Sequence, residues 1–235
     1  MYYRLFAILI TLFAVLTGTR AFCQNSSNNC DTSLEYAKEY FKNNVAAGSF
    51  LYSGREYAPY SLNIKGNPFF DSGDMNIGNV FYDGHLYENV PMLYDIVRQL
   101  IIIDRYHDNP RITLLSEKVK YFTIHDHLFQ NIHAENGSYF YDITYNGVAG
   151  VWVKRIKVTR KAVHAEEPDS FTERDEFYIK KGNSLFAVTN KASALAGFED
   201  KQNQLKSFIR KKKLTFKKNI EQDLIQVASF YSSLQ

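Results

Sequence analysis

Short apolar and aromatic runs, separated by Gly, Asn and Asp, fill the chain from residue 49 to residue 190. In the clearest case, the stretch 78–95, strand-forming residues at 80–82 precede the tight-turn dipeptide Asp83-Gly84 and a second apolar run, which is the pattern of a β-hairpin. About ten such runs at intervals of roughly ten residues leave no room for helical crossovers. The pattern therefore predicts an antiparallel β-sandwich or barrel-like body.

The predicted strands are short and follow one another closely. They lie at 49–52, 57–62, on both arms of the 78–95 hairpin, and at 100–103, 111–115, 119–124, 128–132, 139–145, 151–158, 177–180 and 184–189. A charged loop is predicted between residues 160 and 176, and Asn146-Gly147 and Gly182-Asn183 are further tight turns.

A first helix is predicted within residues 31–48, ahead of the β-rich body. Residues 32–35 have the capping-box pattern, with Thr at the first position and Glu at the fourth. Apolar residues then recur at helical spacing, at Leu34, Ala37, Tyr40 and Phe41. This apolar side is expected to pack on the body.

After residue 190 the apolar period becomes helical, and two to three helices are predicted within 191–235. Asp200 is the predicted N-cap of the second helix. The last helix, from about 219 to 234, carries one apolar stripe, formed by Ile220, Leu224, Val227, Tyr231 and Leu234. The sheet is the simplest partner for this stripe, and another subunit is the alternative.

The predicted fold class is therefore α+β. A β-rich body over 49–190 carries the helix of 31–48 at one end of the chain and the helical segment 191–235 at the other. Residues 31–235 together form one globular domain in this prediction.

The first 23 residues predict export. An apolar run of about a dozen residues follows a short positive segment and precedes a small-residue zone that ends at Cys23, which is typical of a signal peptide cleaved before Gln24. The run is too short to span a bilayer. The chain is thus expected in the periplasm, at the cell surface or outside the cell, and not as a transmembrane protein. Residues 24–30 are predicted to be a flexible arm.

Acylation of Cys23 as a lipoprotein is the alternative, although the bulky Phe22 argues against it because lipid-attachment sites favour a small residue there. If Cys23 is removed, Cys30 is the one cysteine of the mature chain. A single cysteine excludes an internal disulfide framework, a multi-cysteine zinc site and an iron–sulfur cluster.

Several turn and aromatic motifs, spread over nearly all of the predicted mature chain, carry a resemblance. They lie at 52–57, 65–70, 80–84, 87–95, 206–210, 214–218 and Tyr231. In these motifs the chain resembles a large, uncharacterised family of exported proteins from Bacteroidetes-type bacteria. The resemblance implies export, a β-rich body with a helical end, and a periplasmic or surface location. It implies no activity and no catalytic residue.

The cluster His125-Asp126-His127 has three interpretations. In a strand, side chains two residues apart face the same side, so His125 and His127 could bind one metal ion. His133, Asp104 or His107 could be the third ligand. A catalytic role is the second interpretation. In the third, the cluster is simply the turn between two strands, because Asp is a turn residue.

Carboxylates near the predicted strand ends are a second group of candidate catalytic residues, because paired carboxylates can catalyse glycoside hydrolysis. These residues are Asp83, Glu88, Asp95 and Asp104. The tight turn explains Asp83. Asp95 follows a buried-looking run, so it is expected to tie down a backbone segment or pair with Arg98.

Three surfaces could bind a partner. Pro91 lacks a ladder donor, so its strand should be an edge or carry a bulge, and a binding surface is predicted there from Tyr87, Glu88, Asn89 and Asp95. Cations at the end of the second C-terminal helix either complement its dipole or contact an anionic lipid surface; they are Arg210, Lys211, Lys212 and Lys213. The tyrosines and Trp152 could form a platform for sugar rings.

No nucleotide-binding loop, nucleophile elbow or zinc-protease motif is present in the sequence. The favoured hypothesis is a non-enzymatic exported protein that acts through binding or as a structural part of the envelope. Its expected partners are an envelope component, an anionic lipid or a glycan, with neither a cofactor nor nucleic acid. The alternative is a periplasmic hydrolase with an unrecognised carboxylate or histidine site.

Overall fold

The computed structural model describes residues 27–40, 51–104, 110–134, 137–164 and 166–234, which fall into two units that divide after residue 46. The first unit contains helix α1 (Ser27–Tyr40). This helix begins before the predicted segment 31–48, and residues 41–48 lie outside the described residues. Leu34 and Tyr40 are 50% and 57% exposed, and the packing of this helix on the body stays a prediction.

The second unit contains the described strands and three further α-helices that lie wholly within the described residues. The strands are β1 (Arg55–Glu56), β2 (Ile64–Lys65), β3 (Asn76–Tyr82), β4 (His85–Asp95), β5 (Leu100–Ile103), β6 (Ile112–Thr113), β7 (Val119–Ile124), β8 (His127–Ala134), β9 (Gly137–Tyr145), β10 (Gly150–Lys154), β11 (Lys157–Arg160), β12 (Asp169–Glu173), β13 (Glu176–Lys181) and β14 (Ser184–Val188). The helices are α2 (Lys191–Ala196), α3 (Gln202–Lys212) and α4 (Ile220–Ser232). Among the described residues, no helix is both long and apolar enough to cross a bilayer.

Eleven of the described strands form one antiparallel sheet in the order β1-β6-β5-β4-β3-β7-β8-β9-β10-β13-β14. The two end strands do not pair with each other, so the sheet is open. The other three strands form a small sheet, in which β12 lies between β11 and a parallel β2. The α+β class and the mostly antiparallel body are thus confirmed, and the body is one long open sheet with a small sheet beside it.

The long sheet curls around its own core. Four strand spacings separate β4 from β9, which would place them roughly 19 Å apart in a flat sheet. Nevertheless the ring of Tyr94 on β4 lies 5.8 Å from that of Phe140 on β9 and 5.1 Å from that of Phe129 on β8. Side chains from both halves of the sheet therefore share one aromatic core on the concave side.

The C-terminal helices close a second core against the other end of the sheet. Leu224, Val227 and Tyr231 on α4 are at most 2% exposed and pack in one cluster with Val151 and Ile179 of the sheet. The sheet is therefore the partner of the predicted stripe. The predicted cap at Asp200 is wrong: α3 has no side-chain cap, and Asp200 instead accepts hydrogen bonds from Lys181 Nζ at 2.8 Å and Tyr231 Oη at 3.0 Å.

Several predicted elements differ from the structure. Residues 57–62 form no strand, and Leu51, predicted within a strand, is helical. Two further differences depend on partners that are distant in the chain. The run 151–158 divides at Arg155-Ile156, because the Ile156 N–H bonds the Asp175 carboxylate at 3.2 Å and the Arg155 carbonyl accepts from Gln99. At residues 155 and 156 these side-chain partners replace the hydrogen bonds between strands, so β10 and β11 belong to different sheets. Residues 169–173, predicted as loop, form β12 because β11 and β2 pair with it.

The strand that contains Pro91 is interior in the sheet order and carries a bulge. Gly78 pairs with Val90 while Val80 pairs with Tyr87, so β4 has an extra residue there, and Asn89 has a φ of 55°. On the other side, β5 pairs only with residues 92–95 of β4. Among the described residues, no strand pairs with the first half of β4 along that side, which accommodates a proline.

Candidate functional site

Asp95 is a fully buried carboxylate at the end of β4. Its Oδ1 accepts hydrogen bonds from the backbone N–H groups of Val97 and Arg98, both at 2.9 Å, which confirms the predicted tie to the backbone. It also accepts from two tyrosine hydroxyls, those of Tyr57 at 3.2 Å and Tyr60 at 3.3 Å. Four donors thus compensate for its burial.

Burial raises the pKa of Asp95 above its ordinary value, and the four donors oppose this rise only in part. Burial, together with the Asp95 carboxylate, also raises the pKa values of Tyr57 and Tyr60. Both hydroxyls therefore stay protonated at neutral pH and can donate to Asp95. The hydrogen bonds to Asp95 therefore fix the positions of both tyrosine rings.

Arg98 holds the same rings from the side. Its guanidinium carbon lies 3.9 Å from the centroid of the Tyr60 ring and 5.7 Å from that of Tyr57, which are cation–π distances. The guanidinium also donates to the carbonyl oxygen of Ala58 at 2.5 Å. The segment 57–60 is thereby fixed although it belongs to no strand.

These rings form the wall of an open cleft of about 570 Å³, which we call the aromatic cleft. Its lining residues are Glu56, Tyr57, Pro59, Tyr60, Ser61, Leu62, Ile64, Gly66, Asn67, Pro68, Phe69, Pro110, Arg111 and Phe171. The Tyr60 and Phe171 rings meet edge to face, with centroids 5.2 Å apart. Leu62 on the rim is fully exposed. The size and the mostly apolar lining are those of ligand pockets in proteins.

A turn at Gly66 positions the floor of the aromatic cleft. Gly66 has a φ of 90°, a conformation that glycine adopts without strain. Asn67 then accepts a hydrogen bond from the Phe69 N–H at 3.0 Å. The Phe69 ring is thereby directed toward that of Tyr57, with ring centroids 6.3 Å apart.

A second cleft, of about 490 Å³, contains the predicted histidine cluster, and we call it the histidine cleft. It is lined by Phe70, Asp71, Ile96, His125, Asp126, His127, Arg155, Glu173 and Asp175. His125 and Asp126 form the turn between β7 and β8, which confirms the predicted turn, and His125 has a φ of 51°. His127 is the first residue of β8.

The two imidazoles contact different carboxylates. His125 Nε2 lies 3.4 Å from Asp71, whereas His127 Nδ1 lies 2.8 Å from Asp142. Two of the proposed third ligands lie elsewhere: His133 bonds Ser138 at 2.9 Å, and Asp104 pairs with Arg111 at 3.3 Å. His107 lies outside the described residues. Within the part of the chain that the structure describes, no group of three such side chains could hold a metal ion.

Arg155 organises the interior of the histidine cleft. Its guanidinium contacts three carboxylates from separate elements: Asp142 at 2.7 Å, Asp175 at 2.8 Å and Glu221 at 2.8 Å. Asp142 is 1% exposed, and its Oδ2 also contacts His127. The hydrogen bond to Asp142 raises the pKa of His127, although partial burial opposes the rise.

The two clefts are neighbours. Phe69 lines the aromatic cleft, and the next residue, Phe70, lines the histidine cleft. On β12, Phe171 lines the aromatic cleft and Glu173 lines the histidine cleft. The Lys157 ammonium lies between them, because it donates to the Phe69 carbonyl at 2.6 Å and lies 3.9 Å from the Glu173 carboxylate.

The residues of the predicted binding surface on β4 do not lie together. Tyr87 and Asp95 are eight positions apart on one strand, which corresponds to roughly 26 Å. Glu88 and Asn89 are exposed on the bulge, and Tyr87 is half-buried against the core. Asp95 lies beneath the aromatic cleft instead. Asp83, at the hairpin turn, pairs with Lys118 at 2.8 Å.

The basic cluster and Trp152 have structural surroundings. Residues 210–212 form the last turn of α3, and Lys213 is its C-cap with a φ of 56°, so these cations lie where they complement the helix dipole. Trp152 is 7% exposed, with Tyr141 6.2 Å away and the Lys180 ammonium 5.7 Å from its ring. Little of its indole is open to a sugar ring.

No protein-family model, curated protein or solved structure matches this chain. The site therefore rests on geometry. Sequence reasoning identified Asp95 and His127 but missed Tyr57, Tyr60 and Phe171. The density of aromatic residues and prolines over 57–70 is a signal that could have indicated the two tyrosines, whereas Phe171 lies outside that stretch.

Proposed function

We propose that this chain is an exported protein that binds a ligand in the aromatic cleft. The observation that carries the proposal is the fixation of Tyr57 and Tyr60. Asp95 holds both hydroxyls, and Arg98 stacks on the Tyr60 ring. A rigid aromatic wall loses little conformational entropy when a ligand binds, which favours affinity.

The proposed ligand is a neutral glycan. Sugar rings have an apolar C–H face that packs on the negative face of an aromatic ring, and their hydroxyls need polar partners at the edge. Glu56, Asn67 and Arg111 supply such partners around the aromatic lining. Anionic lipid is less favoured as the ligand, because this lining contains one acidic and one basic side chain and has no cationic excess.

The proposed location is the periplasm or the cell surface. The signal-peptide pattern of residues 1–23 and the resemblance to exported bacterial proteins support it. An envelope location would also bring the aromatic cleft into contact with glycans. Binding, rather than a role as a structural part of the envelope, is favoured because the cleft is open and hydrogen bonds to Asp95 fix Tyr57 and Tyr60 on its wall.

Saturation-transfer NMR with neutral hexasaccharides, such as cellohexaose and chitohexaose, tests the proposal. We expect at least one of them to bind the wild-type protein. Tyr60→Ala and Phe171→Ala should weaken its binding by about tenfold or more, since truncation of an aromatic anchor residue in a binding site costs about 2 kcal/mol.

Tyr121→Ala is the matched control. Tyr121 is a half-buried tyrosine stacked on Phe81, with ring centroids 5.5 Å apart, and it lies outside both clefts. Its substitution should leave binding unchanged. Saccharide binding that is equally strong in the Tyr60→Ala and Phe171→Ala variants would refute the proposed site.

A further inference from the structure

The bonding of His127 defines which of its ring nitrogens carries the proton. The Asp142 oxygen at 2.8 Å from Nδ1 also accepts from Arg155. A carboxylate that pairs with a guanidinium is ionised and can only accept. The Nδ1 atom must therefore donate, and in the neutral ring Nε2 is the basic nitrogen.

The ring is also held in one orientation. Phe70 meets it edge to face with centroids 5.0 Å apart, and Phe129 lies 6.2 Å away on the aromatic core. Behind it, Arg155 fixes Asp142 through its contacts with Asp175 and Glu221. His127 itself is one-third exposed and lines the histidine cleft. Its Nε2 lies 3.8 Å from the exposed carboxylate of Asp126, which is longer than a hydrogen bond. A histidine oriented by a buried carboxylate, with its other nitrogen not hydrogen-bonded to this neighbour, has the arrangement of a general base.

We propose that esters are hydrolysed in the histidine cleft, with His127 as the general base that activates water and Asp142 as its positioning residue. Nε2 takes a proton from water as the water oxygen bonds to the ester carbonyl carbon. The bond from that carbon to the alcohol oxygen then breaks, and His127 returns the proton to the alcohol. The products are a carboxylic acid and an alcohol, and no other reactant is consumed.

The charge of the cleft indicates the class of ester. Carboxylates on its lining outnumber cations; they are Asp71, Asp126, Glu173 and Asp175, against Arg155. Arg155 is already paired with carboxylates. Repulsion therefore disfavours an anionic ester, and a neutral or cationic one is the expected substrate.

The rate of hydrolysis should depend on pH because only neutral His127 can accept a proton. The charged groups around its ring are Asp126 of the turn, Asp142 of β9 and Arg155, with Asp71, His125, Glu173 and Asp175 on the same cleft. Asp142 raises the pKa of His127 above its ordinary value of 6.5. The rate should therefore be low at acidic pH and rise as pH increases through this raised pKa.

Hydrolysis of p-nitrophenyl acetate by the full chain tests the proposal. We expect His127→Gln to lower the rate by about a hundredfold, a typical contribution of general-base catalysis. His133→Gln is the matched control, because His133 is an exposed histidine of the same strand that bonds Ser138 and lies outside both clefts. Its rate should stay within about twofold of the wild type. Equal rates for the wild type and His127→Gln would overturn the proposal.

Two further measurements separate catalysis from a structural role. Asp142→Asn should move the midpoint of the pH–rate profile to lower pH, because the hydrogen bond to Asp142 raises the pKa of His127. If this variant does not fold, the pH–rate profile of the wild type tests the role of His127 instead, and its midpoint should lie above 6.5. Mono-p-nitrophenyl terephthalate, whose carboxylate cannot reach the ester carbonyl, should react more slowly than p-nitrophenyl benzoate, which has the same leaving group and no charge. A rate without pH dependence would overturn the role of His127, and an equal rate for the terephthalate and the benzoate would overturn the substrate class.

Discussion

Asp95 shows how one buried residue supports the proposed binding site. It is the last residue of β4, and its carboxylate links the backbone of the following turn to the hydroxyls of Tyr57 and Tyr60. The carboxylate thus joins the fold to the wall of the aromatic cleft. Its removal would leave several donors without an acceptor.

Replacement of Asp95 by Ala should lower the free energy of unfolding by about 3 kcal/mol, because buried donors would lose their acceptor. Asp95→Asn keeps an oxygen for the backbone N–H groups and should cost much less. Urea unfolding followed by circular dichroism measures both variants. A loss as small for Ala as for Asn would contradict this role.

The pH dependence of the Asn variant provides a second readout of the same residue. The pKa of Asp95 is raised in the folded state, so ionisation costs more in the folded than in the unfolded protein. The stability of the wild type relative to Asp95→Asn should therefore be greatest below the ordinary Asp pKa and fall as pH rises through the raised value. An advantage that instead grows with pH would show a lowered pKa.

The sequence correctly indicated the roles of residues whose partners are near in the chain. Asp83 lies in a turn with Gly84, and the bonds from Val97 and Arg98 to Asp95 span two and three residues. The bonds from Tyr57 and Tyr60 to Asp95 span 38 and 35 residues. Such pairs depend on which strands become neighbours, and a residue pattern along one chain does not specify that.

The hairpin of β3 and β4 has a tight approach to β7 at Gly78. A Cβ atom at this position would lie 1.9 Å from the carbonyl oxygen of Thr123. Because that atom belongs to the backbone of a neighbouring strand, it cannot move without disturbing the ladder. A residue without a side chain is therefore required where β3 passes β7.

The Gly78→Ala substitution should destabilise the fold by about 2–3 kcal/mol through overpacking. Gly73→Ala is the control, since its added Cβ would have nothing within 4 Å. Thermal unfolding of the two variants and the wild type provides the comparison. Similar melting temperatures for all three proteins would show that β3 and β7 are not packed this closely.

Most elements followed from their local pattern because strand alternation, tight turns and helical periods are local properties. The exceptions have nonlocal causes. The strand β10 ends before Arg155 because the side chains of Asp175 and Gln99, 19 and 56 residues away from their partners, bond the backbone of residues 155 and 156. Asp200 has the composition of a helix cap, but Lys181 and Tyr231 bind it instead.

At the scale of the whole body, the two clefts share the segment that connects to Asp95. Phe69 bridges to Asp95 and lines the aromatic cleft, while the next residue, Phe70, bonds the Tyr94 carbonyl and lines the histidine cleft. A ligand bound in the aromatic cleft would therefore lie beside His127's cleft. The proposed sites of glycan binding and ester hydrolysis are therefore adjacent.

Aromatic ¹H–¹³C NMR spectra, recorded during titration with a hexasaccharide that binds, would locate the glycan on the protein. We expect the ring signals of Tyr57, Tyr60 and Phe171 to shift while those of Trp152 and Tyr121 do not. Shifts confined to Trp152 and its neighbouring tyrosines, with Tyr60 and Phe171 unchanged, would show that the glycan does not bind in the aromatic cleft.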